Sequence, residues 1–213
     1  MNSLDGVMVI GLTGQTGAGK STVSKVFVQN GFRLIDADAI SRLVVKRGSH
    51  CLADLRECFT DVILTADGEL DRKAMAAIAF SDHHKLEMLN TIMYPYIMGE
   101  ILRMIHHFSQ QNHKLILLDA PTLFESRADD FCDLIISVVA EPELRKQRIM
   151  KRDHISEEAA QKRMQMQHSE SFFREHSDTV LENNTTFSEL EEAAQELSAK
   201  LIRYYEAKFG VLV

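Results

Sequence analysis

There is no tryptophan in this chain, and there are only three prolines and three cysteines among its 213 residues. The cysteines, Cys51, Cys58 and Cys132, are odd in number and far apart. No Cys-x-x-Cys pair exists to grip zinc or cycle between thiol and disulfide, so inert thiols in a reducing compartment are expected. The prolines, Pro95, Pro121 and Pro142, are scattered, and no Pro/Gly/Ser-rich linker or low-complexity tract divides the chain. No run approaches the ~20 apolar residues that a membrane-crossing helix needs. Basic residues are scarce as well: 24 Lys and Arg stand against 31 Asp and Glu, a formal net charge of −7. That deficit argues against general nucleic-acid binding, which needs clustered basic surface to displace counterions. The opening MNSLDGVMVIGLTG lacks a basic leader, a long apolar core and a small-residue cleavage site. A cytoplasmic protein that engages neither membrane nor nucleic acid, as a monomer or weak homo-oligomer, is the expectation.

What is present is an alternation of short apolar runs with helix-period stretches, which favours a parallel sheet with helices on both faces. VMVIGLT reads as a first strand, followed by a helix over 20–30 that stops at Gly31. FRLID reads as a second strand. KLILLDAP and DLIISVVA are two more, each too short for a buried helix and stopped by Pro121 and Pro142, and DTVLEN is a short fifth. Between the second and third strands, residues 37–111 are mostly helical and longer than a crossover needs, so they read as an inserted substrate-binding region. The expected organisation is one domain over 1–213, with a core at about 7–40 and 112–213, a helical acceptor-binding insertion at about 41–111 and a basic lid at about 143–168. The last helix is expected to open at Ser188, with Glu191 completing a capping box, and to run to about residue 209.

The densest signal is Gly14-Gln15-Thr16-Gly17-Ala18-Gly19-Lys20-Ser21-Thr22, which fits G-x-x-x-x-G-K-[ST] between a predicted strand and a predicted helix. Glycines let the backbone fold around an anion with successive N–H groups turned inward, and the following helix adds its dipole. Lys20 would reach the β- and γ-phosphates of ATP, and the Ser21 hydroxyl would hold Mg²⁺. The expected class is therefore α/β, a three-layer P-loop NTPase fold with a five-stranded parallel sheet.

Two uses of such a loop are disfavoured. None of the ten glycines has an aspartate three positions earlier, and no Asn-Lys pair occurs, so the switch and base-reading elements of a GTPase are missing. A DNA-working ATPase would want a basic track. Small-molecule phosphotransfer remains, and it requires a base or orienting group on the acceptor side, Mg²⁺, and cations on the transferring phosphoryl group. IDADAISR places Asp36 and Asp38 after the second strand, at the carboxyl edge where ligands of open α/β sheets bind. One of the two can serve as base and the other as helix cap; position alone leaves open which. ELRKQRIMKRD spaces Arg145, Arg148 and Arg152 at helical intervals, with Lys146 and Lys151 among them, as a phosphate-facing lid or a solvated face. LLDAPTLFES ends a strand in Asp119, either a Walker B aspartate that holds Mg²⁺ through water or a strand-end cap.

Taken in order, GLTGQTGAGKSTV, IDADAISR, GELDRKAMAAIAFSD, LEMLNTIMYPYI, LLDAPTLFES, EPELRKQRIMKRD, SEEAAQKRMQMQ and DTVLENN resemble the dephospho-CoA kinase family over nearly the whole chain. The resemblance implies transfer of the ATP γ-phosphate to the ribose 3′-hydroxyl of dephospho-CoA. It implies Asp38 as the base, with Lys20 and Arg148 also catalytic. It places Gln15 to Thr22, Arg148, Arg152 and Asn183 at ATP, and Asp38, Arg42, Leu70, Asp71, Arg72 and Pro121 at the acceptor. The chain departs from the family pattern at Gln15-Thr16, where Gly-Ile is usual, and at Tyr94, Thr122 and Arg145, where His, Leu and Gln are usual. The Tyr94 and Thr122 changes bear on acceptor affinity, and a kinase for another small molecule or a nucleotide-binding regulator stays open beside the family reading.

Overall fold

The computed structural model describes residues 6–79 and 81–210. Five strands form one parallel sheet in the order β2-β3-β1-β4-β5: β1 (Met8–Gly14), β2 (Arg33–Asp36), β3 (Leu115–Asp119), β4 (Leu134–Val139) and β5 (Thr179–Glu182). The five apolar runs of the sequence are these five strands. Every residue of β1 is buried, as a central parallel strand covered on both faces should be, which is why its sequence is a continuous apolar run rather than an alternation. The edge strands β2 and β5 are only partly buried.

Helices α1 (Lys20–Gln29) and α9 (Phe187–Phe209) pack on each other and on the sheet. Phe27, Val23 and Val26 of α1 meet Leu190, Ala194 and Leu201 of α9 in one core with Met8, Ile10 and Leu12. The helix α9 begins one turn-position earlier than its sequence suggests. Two Ser/Thr-x-x-Glu patterns overlap there, and Thr186 rather than Ser188 is the cap: its Oγ1 accepts the Glu189 N–H at 3.2 Å and its hydroxyl donates to the Glu189 carboxylate. Leu190 and Ala194, one turn apart, face the core.

The basic segment is helical and consists of two helices, α6 (Pro142–Asp153) and α7 (Glu157–Gln165). His154 breaks them with a left-handed φ of 53°, and Ser156 caps α7 by accepting the Ala159 N–H. Pro142 sits in the first turn of α6, where its missing N–H leaves no intrahelical bond unmade. A short helix, α8 (Glu170–His176), follows and leads into β5.

By its internal packing the chain divides into two compact units, Asp36–Ile105 and the remainder. The Asp36–Ile105 unit holds α2 (Ala37–Leu43), α3 (His50–Phe59), α4 (Arg72–Ala79) and most of α5 (His83–Gln110). Its own core is Val45, Cys51, Leu55, Phe59, Ile63, Met75 and Ala79. Among the described residues, no helix is long and apolar enough to cross a membrane.

Candidate active site

The strand order places the loop after β1 where the chain changes direction across the sheet: β3 lies on one side of β1 and β4 on the other. Ligands of open parallel sheets bind at such a switch point, beyond the carboxyl ends of the strands. Two glycines there are fixed by what surrounds them. Gly17 has φ +78° and Gly19 φ +108°; a Cβ on Gly17 would lie 2.8 Å from the Arg145 carbonyl oxygen, and one on Gly19 2.5 Å from Asn183 Nδ2. Gly19 is the N-cap of α1 and brings no capping side chain, and no acidic residue stands in the first turn. The positive end of the α1 dipole is thereby left for an anion.

Lys20 opens α1 and forms an ion pair with Asp119, the last residue of β3. The register explains the meeting: Asp119 stands opposite Leu12 on β1, two residues before the loop. Ser21 follows Lys20 in the first turn and is exposed. A Mg²⁺ ion fits this donor set, since a serine hydroxyl and a carboxylate are hard oxygens; two protein oxygens are few, and phosphate oxygens would complete the shell.

The three arginines of α6 do three different things. Arg145 is only 5 % exposed, and its Nε donates to the Thr16 carbonyl at 3.0 Å. Burial pushes its guanidinium pKa down, partly opposed by the charge of Glu170. Arg148 donates to the Asn183 carbonyl from both Nη atoms, at 3.1 and 3.2 Å, and reaches the Gly17 carbonyl at 3.4 Å. Its guanidinium also lies 4.9 Å above the ring of Phe187, which is half exposed, and burial lowers its pKa. Arg152 instead pairs with its neighbour Asp153 at 2.7 Å, and that hydrogen bond raises its pKa. Asn183 is fully buried: its Nδ2 donates to the Ala18 carbonyl at 2.7 Å and its Oδ1 accepts from Arg148. Its side chain thus holds the loop from beneath.

Gln15 and Thr16 are more than spacers. The Gln15 N–H donates to Val138 on β4, while its side-chain Oε1 is buried without a hydrogen-bond partner. The Thr16 N–H donates to Gln167 Oε1 at 2.7 Å, so both faces of this residue's backbone are taken by lid side chains. Pro121, after β3, accepts the Thr13 hydroxyl at 3.3 Å through its carbonyl.

In the Asp36–Ile105 unit, the two aspartates after β2 separate in role. Asp36 caps α2 by accepting the Ala39 N–H at 3.0 Å. Asp38, two residues on, is exposed in the first turn, and Arg42 is exposed in the last. Asp71 also caps: its Oδ1 accepts the N–H groups of Lys73 and Ala74, both at 3.0 Å, at the start of α4. Leu70 forms an isolated antiparallel bridge with Leu64, and Arg72 is exposed as the first residue of α4. Burial pushes the Cys51 thiol up to about 11, with Asp54 adding to it, which leaves it protonated and inert near neutrality.

With this geometry in hand, the family model described as dephospho-CoA kinase matches residues 8–189. The chain belongs to the dephospho-CoA kinase family. A dephospho-CoA kinase of Fusobacterium nucleatum is 36% identical over 184 residues, which cover 86% of this chain and 93% of that one. A Thermus thermophilus crystal structure superposes with a TM-score of 0.77 at 29% identity, covering 92% of this chain and 98% of the other. The dephospho-CoA kinase of Campylobacter jejuni shares the fold, with a TM-score of 0.70 at 22% identity over 92% and 98%. Membership in the dephospho-CoA kinase family makes the chain a kinase. Within that frame, Gln167 is the residue the sequence reading passes over. It lies in SEEAAQKRMQMQ, a segment that carries the family resemblance, but three glutamines stand in it and only a folded chain distinguishes the one that touches the loop.

Proposed function

We propose that this chain transfers the γ-phosphoryl group of ATP to the ribose 3′-hydroxyl of dephospho-CoA, with Asp38 as the base. ATP-dependent phosphorylation of dephospho-CoA, giving coenzyme A and ADP, is the activity of the family to which it belongs. The observation that carries the reading at residue level is the loop itself: a helix start without a capping side chain, with Lys20 held at the end of β3 by Asp119. Loop N–H groups and the α1 dipole bind the phosphates and orient the γ-phosphorus. Lys20 exchanges its carboxylate partner for the β- and γ-phosphate oxygens, and Arg148 at the Gly17 carbonyl adds positive charge beside them. Mg²⁺, held by Ser21 and, through water, by Asp119, would neutralise charge on the phosphates. Arg42, Leu70, Asp71 and Arg72, in the helical region at about 41–111, and Pro121, after β3, are the acceptor-side residues in this reading. The hydroxyl oxygen of the acceptor forms the new P–O bond while its proton passes to Asp38; the bond to the β-phosphate oxygen breaks and ADP leaves. The asymmetry between the two aspartates supports this assignment, since Asp36 is committed to the α2 cap.

ADP release from Mg-ATP, followed with a panel of acceptors, tests the proposal. Turnover with dephospho-CoA and none with nucleoside monophosphates is expected. Turnover with another acceptor alone, or ATP binding without turnover on any, overturns it.

A further inference from the structure

Thr16 is held by a ring of three hydrogen bonds that closes through the lid. Its N–H donates to Gln167 Oε1 at 2.7 Å, its carbonyl accepts from Arg145 Nε at 3.0 Å, and Arg145 Nη2 reaches the same Gln167 oxygen at 3.4 Å. The two lid groups come from different places: Arg145 from the first half of α6, and Gln167 from the turn after α7. That turn is itself anchored. His168, the next residue, lies 3.3 Å from Glu125 in the loop after β3 and stacks on Phe172 at 3.8 Å between ring centroids. Adjacent residues thus reach the loops that follow two neighbouring strands, β1 and β3.

The two helices are also tied to each other. Lys146 of α6 pairs with Glu157 of α7 at 2.6 Å, and Asp153 at the end of α6 pairs with Arg163 of α7. A peptide group in the phosphate loop whose donor and acceptor both end on such a tied pair follows that pair. The next peptide groups, at Gly17 to Ser21, are the ones that face an anion at the α1 N-terminus.

We propose that Gln167 is a positioning residue for nucleotide binding: together with Arg145 it grips the Thr16 peptide and makes the shape of the phosphate loop depend on where the lid stands. The proposal rests on the reading of the chain as an ATP-dependent kinase. Gln167 acts as an acceptor only, so a side chain of the same length that still accepts should replace it and one that cannot accept should not.

The test measures Mg-ATP affinity by calorimetry on the full chain without acceptor, alongside KM for ATP and for dephospho-CoA. Gln167→Met is expected to weaken Mg-ATP binding about five- to tenfold, the factor that one net hydrogen bond carries, with KM for dephospho-CoA unchanged. Gln167→Glu at pH 8, ionised and still an acceptor, is expected within about threefold of the original chain. Arg145→Met should resemble Gln167→Met, and the double variant should lose less than the product of the two, because either change already opens the ring. Amide exchange at Thr16 should quicken in Gln167→Met. Equal ATP affinity in Gln167→Met, a Gln167→Glu variant as weak as Gln167→Met, a parallel rise in both KM values, or multiplicative effects in the double variant would each overturn the proposal. If the original chain binds ATP but leaves dephospho-CoA unphosphorylated, the proposed function fails while the affinity comparison still decides the role of Gln167.

Discussion

The phosphate-loop side of the molecule and the helical unit Asp36–Ile105 are held together by different kinds of polar contact. Around the loop, side chains bond backbone groups more than a hundred residues away: Asn183 to Ala18, Gln167 and Arg145 to Thr16, Arg148 to Gly17. In the helical unit the named side-chain bonds are mostly local caps and turns, Asp36 to Ala39, Ser49 to Leu52, Asp71 to Ala74, Arg56 to Asp61. Tyr96 to Asp54, at 2.5 Å, reaches farther across it. A loop pinned from several directions, with its partners in place, holds its shape while charge is redistributed on a phosphate, which is the condition for electrostatic catalysis without reorganisation. In that unit the smaller helices α2, α3 and α4 each carry their own cap, so their starts are set locally. The phosphate loop is specified by tertiary contact and the helices of the Asp36–Ile105 unit largely by local caps.

The largest effect that can break this contrast lies in the two aspartates after β2. Asp38→Asn is expected to lower kcat by about 10²–10⁴-fold while ATP still binds, and wild-type turnover would remove Asp38 from the base role. Asp36→Ala should instead lower stability by about 1 kcal/mol, the usual worth of a helix cap, with most of kcat retained. Next comes the lid. Arg148→Ala should reduce kcat/KM for ATP by roughly 10²-fold, the scale of one preorganised charge. Lys146→Ala should change it little, because Lys146 is spent on Glu143 and Glu157 within the lid; equal losses would make α6 a solvated face.

The smallest expected effect is on acid stability. The Arg152 hydrogen bond, with the charges of Arg152 and Arg163, lowers the Asp153 carboxyl from 3.8 to about 2. A depressed folded-state pKa means the ion pair contributes fully above about pH 4 and is lost as the pH falls toward about 2. Asp153→Asn should flatten the melting temperature over that window and leave it unchanged near neutrality only to the extent that an exposed pair is weak. A melting profile with the same acid slope in both proteins would show that the lid junction does not depend on Asp153.

What was legible in the sequence follows the same divide. The three central strands were legible because buried parallel strands are short apolar runs, and the phosphate loop because its glycines and Lys20 are contiguous. The cap at Thr186 is not separable in the sequence because two Ser/Thr-x-x-Glu patterns overlap by two residues, and only the Thr186–Glu189 hydrogen bonds decide between them. The break at His154 inside the basic segment was not legible, because a left-handed backbone at a histidine has no compositional mark. Position alone left Asp36 and Asp38 tied, whereas the Ala39 N–H separates them in the folded chain. Arg145 looked the least secure of the three arginines because it departs from the family pattern, yet it is the most committed to the loop. Its partners, Thr16 and Gln167, lie 129 and 22 residues away, beyond the reach of any spacing rule.

The bond from Asn183 to Ala18 carries a consequence for how the protein is made. Its two ends are 165 residues apart, and at about 5–20 residues per second a ribosome needs on the order of ten to thirty seconds to travel between them. The phosphate-binding sequence leaves the ribosome first, but the amide that supports it, and Arg145 and Gln167 that clasp it, are translated last. A nascent chain that stops short of Asn183 carries the whole GxxxxGKS motif without the scaffold that gives it shape. The contact that supports the loop can therefore form only after Asn183 has been translated.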